Sequence, residues 1–429
     1  MVNIQKLFFQ NIFWRGLFYV TGFLLNVLLA RHFEAAFSGV IYYLINSCSL
    51  LTLIGSLSIE SGIIFFSGSN QIAKNKLFYF SITWTSIIGL LFLLTTLFGA
   101  SSFSNSLILL NYKLALLFIT GNILTAFMSG FFSAEKNFTT PSLIGLTINL
   151  LLIGMIFFIN EDGWLTNQRY LFFYFSGLLF QGVLLLFLLL QSKKSYRQID
   201  FISCVDLKKL FTYVMIVFIS NIISFFVFRV DYWFVHHYCS IAEVGNYIQV
   251  SKLVQLFFVL PAVLAAVVFP LTSSGHDKKI NEILPLLSRM LLLAYAVICM
   301  ALIIFGNWLF PFVFGNSFKH MYQPYLFYIP GILGMSALYT LTSYYAGKNK
   351  VIVNIKGCFY SLLIILLGDF LLIPKYGITA AAGVSSCGYL FYFGYVLNIF
   401  VKEYKVSLKD FFYFKKADIY KIKNILLKK

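Results

Sequence analysis

The sequence contains few charged residues and no long polar segment. Of its 429 residues, 11% are charged and only 15 are acidic, whereas 60% are hydrophobic. Soluble domains contain about 25% charged and about 45–50% apolar residues. A water-soluble core cannot hide this surplus, because a globular fold still has to cover itself with polar side chains. The composition therefore excludes a water-soluble globular protein and predicts an all-α integral membrane protein.

Motifs for ATP hydrolysis, disulfides and metal binding are also missing. There is no GxxxxGKS or GxxxxGKT loop, so the chain does not hydrolyse ATP through a P-loop. The six cysteines are scattered without a CxxC pair, which indicates small apolar side chains rather than disulfides or metal ligands. The segments between apolar runs are too short for a catalytic domain. We therefore expect no catalytic residue, no metal and no cofactor.

The positive charge is spread along the chain. The formal net charge is +17, but Lys and Arg lie between the apolar runs or in the C-terminal tail rather than in one basic domain. This distribution does not favour nucleic-acid binding. The first apolar run lacks the small-residue cleavage site of a signal peptide and more apolar runs follow it, so we interpret it as the first membrane helix.

Apolar runs of about 20 residues, long enough to cross a bilayer as helices, recur along the chain. Short polar clusters separate them. On this basis we predict about twelve transmembrane helices, near residues 12–30, 38–60, 77–99, 113–134, 142–159, 170–190, 210–231, 245–271, 287–312, 322–346, 351–372 and 378–401.

The longest polar stretch between two spans, 191–209, divides the predicted helices six and six. We therefore expect a six-helix lobe over 1–190, a cytoplasmic connector over 191–209, a second lobe over 210–401 and a tail over 402–429. The tail carries nine Lys against three acidic residues. Its helical spacing of apolar residues predicts a basic amphipathic helix on an anionic inner leaflet, with a solvated tail as the alternative; these residues are Leu408, Phe411, Phe412, Ile419, Ile422 and Leu426.

The distribution of Lys and Arg predicts the orientation. With both termini cytoplasmic, and the tail left out, 14 Lys and Arg fall on the cytoplasmic side and five on the opposite side. This bias has the direction of the positive-inside rule. The five outer residues are Arg31, Lys113, Arg169, Lys319 and Lys375.

A weak internal repeat agrees with two halves. A shift of 212 residues places 134–137 on 346–349, and a shift of 206 places Gly39 on Gly245. Chance similarity between apolar helices is the alternative. Six helices per half predict two lobes related by a pseudo-two-fold axis along the membrane normal, with a cavity between them, which is typical of transporters.

The first two spans contain polar residues that indicate a structural or functional role, because an ionisable side chain in lipid has a high free energy of insertion. Arg15 and Glu60 both lie toward the cytoplasmic side of these spans. One interpretation is a structural salt bridge between the two side chains, and another is that Arg15 extends to the membrane interface. The third is that both face a cavity, where Arg15 binds an anion and Glu60 couples an ion. Asn26 and Asn46 share polar helical faces with them and are candidates for lining that cavity.

The seventh and eighth predicted spans are richer in polar residues. Arg229, Asp231 and Lys252 are expected to cluster in the outer half of the second lobe. The alternatives are an Asp231–Lys252 bridge and a cationic patch for an anionic group such as a phosphate, with Asp231 coupling an ion or pairing with the cations. Lys356 extends the positive surface, and Asp369 is expected at the outer interface. Further candidates for lining the cavity are Asn221, Ser224, Gln249 and Gln255.

Several short motifs resemble one known family. They are Phe228–Asp231, Ala242–Tyr247, Lys252–Leu253, Ala346–Asn349 and Leu372–Ala381. Their order and spacing resemble the polysaccharide transport family, which contains the O-antigen and capsule repeat-unit flippases of the multidrug/oligosaccharidyl-lipid/polysaccharide (MOP) exporter superfamily. The resemblance extends over essentially the whole chain.

The resemblance implies a flippase in the bacterial inner membrane that moves an undecaprenyl-diphosphate-linked oligosaccharide to the outer leaflet. Its partners are then this lipid-linked cargo, membrane lipids, and a polymerase and chain-length regulator of the same pathway. Arg15, Arg229, Lys252 and Lys356 are the candidates for binding phosphate or acidic sugar. A cation-coupled drug or metabolite exporter of the same superfamily is the alternative, and a membrane-embedded polymerase or transferase is a third.

Overall fold

The computed structural model describes residues 4–98, 111–160, 162–192, 194–273, 277–404 and 407–413. The described chain is 90% helical and contains no strand. Within these described residues, ten helical segments are long and apolar enough to cross a membrane. Long apolar segments fold this way because a backbone in lipid has to satisfy its own hydrogen bonds. The predicted all-α, multi-pass membrane protein is confirmed.

The first and last long helices are each two helices in succession. Helix α1 (Ile4–Ser56) has 53 residues and helix α13 (Val351–Tyr404) has 54. At 1.5 Å per residue each would measure roughly 80 Å, against a hydrocarbon core of about 30 Å. Their backbones leave helical geometry at Glu34 (φ 58°, ψ 177°) and Gly377 (φ 61°, ψ −144°). The total of twelve spans stays a prediction.

The chain divides into two compact units, and unit 1 contains the chain up to Glu34 together with Ile41–Ile222. Aromatic side chains such as Phe78 and Phe131 are fully buried in its core. Buried hydroxyls bond within their own helix, as Ser81 does to the carbonyl of Leu77 over 2.7 Å. After α1 its helices are α2 (Ile59–Gly68), α3 (Lys74–Phe98), α4 (Tyr112–Ala134), α5 (Thr139–Ile156) and α6 (Asn167–Ser192), then a 3₁₀ turn (Lys194–Arg197) and most of α7 (Cys204–Arg229).

Unit 2 contains Ala35–Val40 and the chain from Ile223 onward. The predicted lobe bounds and the pseudo-two-fold axis stay predictions. The helices of unit 2, besides the end of α7, are α8 (Asp231–Tyr238), α9 (Ile241–Phe257), α10 (Val259–Ser273), α11 (Asp277–Phe314), a 3₁₀ segment (Asn316–Met321), α12 (Tyr322–Gly347), α13 and a short α14 (Lys409–Phe412).

A short piece of α1 belongs to unit 2 because two glycines allow a close backbone contact. A Cβ on Gly39 would stand 2.3 Å from the carbonyl oxygen of Ile241, and one on Gly245 would stand 2.0 Å from that of Ala35. Neither glycine can therefore be enlarged without separating α1 from α9. The two residues that a sequence shift of 206 treats as repeat equivalents are contact partners within unit 2.

The loops after α4 and α12 have the same helix cap. Lys136 (φ 60°) and Asn349 (φ 57°) adopt the left-handed conformation. The next amide in each loop donates to a carbonyl five residues back, Asn137 to Phe132 over 2.9 Å and Lys350 to Tyr345 over 2.8 Å. The equivalent residues are 213 positions apart. The shift of 212 predicted from sequence is wrong by one residue here.

The described part of the tail packs onto unit 2. Phe411 is fully buried, and its ring centroid lies 5.6 Å from that of Phe400. A guanidinium nitrogen of Arg289 donates to the carbonyl of Asp410 over 2.7 Å. Leu408 and Phe412 are exposed. The remaining apolar residues of the predicted amphipathic helix, Ile419, Ile422 and Leu426, lie outside the described residues.

Candidate functional site

Two aspartates are buried in unit 2. Asp231 is 1% exposed and Asp369 is 0% exposed. Asp231 is the first residue of α8, where the helix N-terminus favours a negative charge, and Asp369 lies in the first half of α13. A charged side chain in an apolar span costs about 2.5–3.5 kcal/mol on insertion scales, so each aspartate needs a compensating interaction.

Hydroxyl groups hold one oxygen of Asp231. Tyr247 and Ser385 both donate to its Oδ2, Ser385 over 3.0 Å. The hydroxyl oxygen of Tyr328 lies 2.7 Å from that of Tyr247. Because Tyr247 gives its proton to Asp231, Tyr328 is the donor in this second bond. The other oxygen of Asp231, Oδ1, is buried and has no hydrogen-bond partner.

A second group of hydrogen-bonded and aromatic side chains is centred on Tyr232 and Tyr389. Tyr232 donates to the Oγ of Ser251 over 2.8 Å, and the amide of Gln255 donates to Tyr232 over 3.3 Å. The ring centroid of Tyr389 lies 5.6 Å from that of Phe228. Gln255, predicted to line a cavity, therefore supports the tyrosines beside Asp231.

Asp369 has no hydrogen bond on either carboxylate oxygen. It lies within electrostatic reach of Asp231 and of Tyr247. Asp369, expected at the outer interface, is buried within the protein and continues a buried stripe of α13 that contains Ser361 and Ile365. The spacing of four residues along this stripe is the sequence signal that would have placed Asp369 in the interior.

The pair fits a small cation or a shared proton. Among the residues that the structure describes, three buried carboxylate oxygens of the pair have no donor: Oδ1 of Asp231 and both oxygens of Asp369. Two ionised carboxylates in electrostatic reach repel each other in a poorly solvated interior. A positive charge between them removes that repulsion, and carboxylate and hydroxyl oxygens are the ligands that hard cations prefer.

Arg229 and Lys252 lie near each other beside this pair. Both are half-buried and within electrostatic reach of one another. The guanidinium of Arg229 lies 5.1 Å from the ring centroid of Phe225. Asp231 accepts hydrogen bonds from Tyr247 and Ser385.

The remaining predicted residues of unit 2 are scattered. The Oγ of Ser224 lies 3.9 Å from the Sγ of Cys358. Gln249 is 1% exposed, and its Oε1 has no hydrogen-bond partner. Lys356 is exposed. The structure does not bring these three residues into contact with the carboxylate pair.

In unit 1 the predicted residues also lie apart. Arg15 is exposed, with its guanidinium 5.3 Å from the ring centroid of Phe138, and it forms no ion pair with Glu60 in the described structure. The side chain of Glu60 is half-buried and its Oε2 has no hydrogen-bond partner. The three asparagines differ: Asn26 accepts from Tyr42 over 3.0 Å, Asn221 donates to Ser58 over 3.0 Å, and both side-chain polar atoms of Asn46 are buried without a partner.

Comparison with known proteins identifies the fold. No family model and no curated protein matches the sequence. Among solved structures, the lipid II flippase MurJ in an inward closed conformation superposes with a TM-score of 0.72 at 17% identity, covering 94% of this chain and 88% of MurJ. An inward-facing multidrug resistance MATE family transporter of the MOP superfamily gives 0.70 at 13% identity, covering 91% and 96%.

A third structure agrees with these two. The Vibrio cholerae MATE transporter VcmN gives a TM-score of 0.61 at 11% identity, covering 95% of this chain and 98% of VcmN. Since all three cover nearly the whole chain, the likeness is not confined to one unit. The chain therefore has the fold of MOP superfamily transporters.

Proposed function

We propose that this protein is a flippase for an undecaprenyl-diphosphate-linked oligosaccharide, the repeat unit of an O-antigen, capsule or exopolysaccharide. It moves this unit from the cytoplasmic to the outer leaflet of a bacterial inner membrane by alternating access, coupled to a monovalent cation or proton at Asp231 and Asp369. The observation that carries the proposal is the buried carboxylate pair of unit 2, three of whose oxygens lack a hydrogen-bond donor.

Coupling follows from the repulsion between the carboxylates of Asp231 and Asp369 when no cation neutralises them. A ligand shifts a conformational equilibrium only by the difference in its affinity for the two conformations. With a cation bound, Asp231 and Asp369 are neutralised and the hydroxyls of Tyr247 and Ser385 complete the oxygen shell. Without it, their repulsion favours a conformation in which the pair is solvated or separated. Cation entry and release therefore bias the two conformations in opposite directions.

We assign the diphosphate of the cargo to Arg229 and Lys252. These two cationic side chains lie within electrostatic reach of each other, and phosphate oxygens accept strong hydrogen bonds from both kinds of group. The resemblance of Phe228–Asp231 and Ala242–Tyr247 to repeat-unit flippases supports this cargo, as does the likeness in fold to a lipid II flippase. Arg15 and Lys356 remain further candidates for anionic groups, and Glu60 is the alternative to the carboxylate pair as the ion-coupling group.

The cargo is tested by deleting the gene in the bacterium that carries it. We expect surface polysaccharide to be lost and single lipid-linked units to accumulate on the cytoplasmic face, where an added impermeant glycosidase reaches them only in inside-out vesicles. Units that reach the outer face but remain unpolymerised would contradict flipping and indicate a polymerase. Efflux of a small drug with normal polysaccharide would indicate the exporter instead.

The coupling ion is tested on the purified protein in lipid nanodiscs. Sodium is titrated against choline at constant ionic strength, and pH is varied in choline alone. A bound ion stabilises the folded state by RT ln(1 + [L]/Kd), about 2.7 kcal/mol at 100 times Kd, so the melting temperature should rise with the coupling ion. The coupling proposal requires that sodium or protons raise the melting temperature of the native chain and that Asp369→Asn abolishes this rise. If neither ion raises it, or if the variant keeps the rise, the coupling proposal is overturned.

A further inference from the structure

A cavity lies in unit 2, on the side of the carboxylate pair toward the start of α13. Its volume is about 130 Å³. A cavity holds a water when it offers about 10–15 Å³ and two to four polar partners, and each water in the liquid occupies about 30 Å³, so this cavity has room for about four waters. Its polar lining consists of Ser224, Tyr339, Thr342, Cys358 and Tyr392.

One stripe of α13 connects this cavity with the carboxylate pair. Asn354, Cys358, Ser361, Ile365 and Asp369 are spaced by three or four residues and so share a helical face. At 1.5 Å per residue, Cys358 lies roughly 16 Å along the helix from Asp369, with Ser361 between them. The Oγ of Ser361 is fully buried and has no hydrogen-bond partner. An unpaired buried hydroxyl is a group that a passing water or ion satisfies.

The neighbouring helices repeat this order of polar groups. On α12, Tyr328 contacts the carboxylate network and Tyr339 lines the cavity eleven residues further along. On the second half of α13, Ser385 binds Asp231 and Tyr392 lines the cavity. On α7, Ser224 lines the cavity and precedes Asp231 by about two helical turns. Four helical segments thus place hydroxyls along one direction.

Beyond the cavity, the same direction ends at ionised side chains. The amide of Asn354 donates to the carbonyl of Thr342 over 2.8 Å, while its Oδ1 is buried without a partner. One helical turn away, Lys350 forms a salt bridge with Glu403, to which Tyr345 also donates over 3.3 Å. Lys350 is half exposed, so this end of unit 2 reaches water. The predicted orientation makes it the cytoplasmic end.

We propose that this cavity is a hydrated vestibule for the coupling cation or proton. The ion passes through it from the Glu403 end of unit 2 to the carboxylate pair of Asp231 and Asp369, and back. This inference rests on the proposed coupling function. Ser361 is the polar residue between the cavity and the carboxylate pair on α13. The apolar side chain of Ile365 lies between Ser361 and Asp369 on the same helical face. The vestibule separates the path of the ion from Arg229 and Lys252, the residues assigned to the cargo.

The native Cys358 reports on hydration of the cavity. In a variant that retains only Cys358, a small impermeant cationic methanethiosulfonate added to inside-out vesicles should label the thiol and stop transport. The matched control retains only Cys48, which is 0% exposed within the apolar core of unit 1. Labelling of Cys358 no faster than that of Cys48 would overturn the vestibule.

A second variant tests the path without a reagent. Cys358→Leu fills the cavity with hydrocarbon and leaves Asp231 and Asp369 in place. We expect transport at least tenfold slower, while the equilibrium thermal stabilisation by the coupling ion is unchanged. Cys387→Leu, on the same helix at an exposed position, is the control.

The outcomes separate the two proposals. If the ion stabilises Cys358→Leu as it does the native chain but transport is also unchanged, the vestibule is rejected and the coupling pair stands. If the ion stabilises neither chain, the proposed coupling itself is rejected, and the vestibule with it.

Discussion

Fully buried tyrosines distinguish unit 2 from unit 1. Among the described residues, six tyrosines of unit 2 are less than 2% exposed: Tyr247, Tyr325, Tyr328, Tyr344, Tyr345 and Tyr389. Unit 1 has two, Tyr170 and Tyr196, and its core relies on phenylalanines such as Phe78, Phe127, Phe131 and Phe175.

Part of the difference follows the carboxylates of unit 2, because Tyr247 and Tyr328 belong to the hydroxyl network of Asp231 and Tyr345 donates to Glu403. Phenylalanine fills space without needing a hydrogen bond, which suits a core of apolar helices in lipid. Tyrosine fills similar space and also offers a donor, which the Asp231 carboxylate requires. Unit 2 is therefore built around polar groups that unit 1 largely lacks, although Asn46 and Glu60 show that unit 1 is not wholly apolar.

The largest expected effect is loss of coupling when either carboxylate of unit 2 is neutralised. Asp231→Asn or Asp369→Asn removes a charged oxygen ligand, and we expect cation affinity to fall by roughly 100-fold, the upper end for changes around a metal site. Cation-dependent melting and transport in proteoliposomes measure it. Glu60→Gln is the matched change in unit 1 and should leave cation affinity within about twofold. A larger loss for Glu60→Gln than for Asp369→Asn would place the coupling site in unit 1.

The next effect concerns the piece of α1 that belongs to unit 2. Gly245→Leu introduces a Cβ where the carbonyl oxygen of Ala35 stands 2.0 Å away, a backbone atom that cannot move aside cheaply. Overpacking costs about 1–3 kcal/mol or more, which at about 2–4 °C per kcal/mol lowers the melting temperature by roughly 2–12 °C. Gly394→Leu, where nothing lies within 4 Å, is the control and should melt like the native chain. Equal melting of both variants would refute the close packing of Ala35–Val40 in unit 2.

A smaller effect is expected from removing a single tyrosine hydroxyl. Tyr247→Phe deletes the hydrogen bond to Asp231, and bonds to charged groups contribute about 1.5–3 kcal/mol. We expect cation affinity to fall by roughly 10–100-fold. Tyr196→Phe deletes the corresponding bond to Glu135 in unit 1, which is 2.9 Å long, and should leave cation affinity unchanged. If both variants shift the cation titration equally, the tyrosines of unit 2 have no special relation to the ion.

The smallest expected effect is on stability, when the partly exposed Lys–Glu salt bridge that each unit contains is removed. Lys74 pairs with Glu135 in unit 1 over 3.4 Å, and Lys350 pairs with Glu403 in unit 2. Both pairs are partly exposed, so Lys74→Met and Lys350→Met should each cost less than about 1 kcal/mol, and high salt should remove the difference. A cost above 2 kcal/mol in either unit would show that its pair is shielded from solvent.

The pH dependence of the Lys350 pair has a defined sign. The hydrogen bond to Glu403 raises the pKa of Lys350 above its ordinary value of 10.5. Its contribution is therefore fully present below pH 10.5 and is lost as the pH rises through the raised value. The melting difference between the native chain and Lys350→Met should shrink in that alkaline range.

The sequence predicted the polar residues of the site unevenly. Asp231 and Gln255 were chosen as candidates because ionisable and amide side chains are rare and energetically costly inside long apolar runs. Asp369 was assigned to the interface because it lies near a predicted span end, and the sequence did not predict its burial on the stripe that contains Ser361 and Ile365. Tyr247, Tyr328 and Ser385 were missed because tyrosine and serine are common in membrane helices.

What the sequence by itself determined is the class of structure. Apolar runs of about 20 residues have to become helices, since lipid offers no partner for an unpaired backbone, and this needs no tertiary information. The charge bias predicts an orientation in the same local way.

Only the tertiary structure decided which helical faces meet. Gly39 and Gly245 became contact partners, and Asp231 and Asp369, 138 residues apart in the chain, came within electrostatic reach. Helices in lipid lack a hydrophobic force that selects one face, so close packing and hydrogen bonds between distant segments choose the partners. Those distant contacts cannot be predicted from the local sequence around either aspartate.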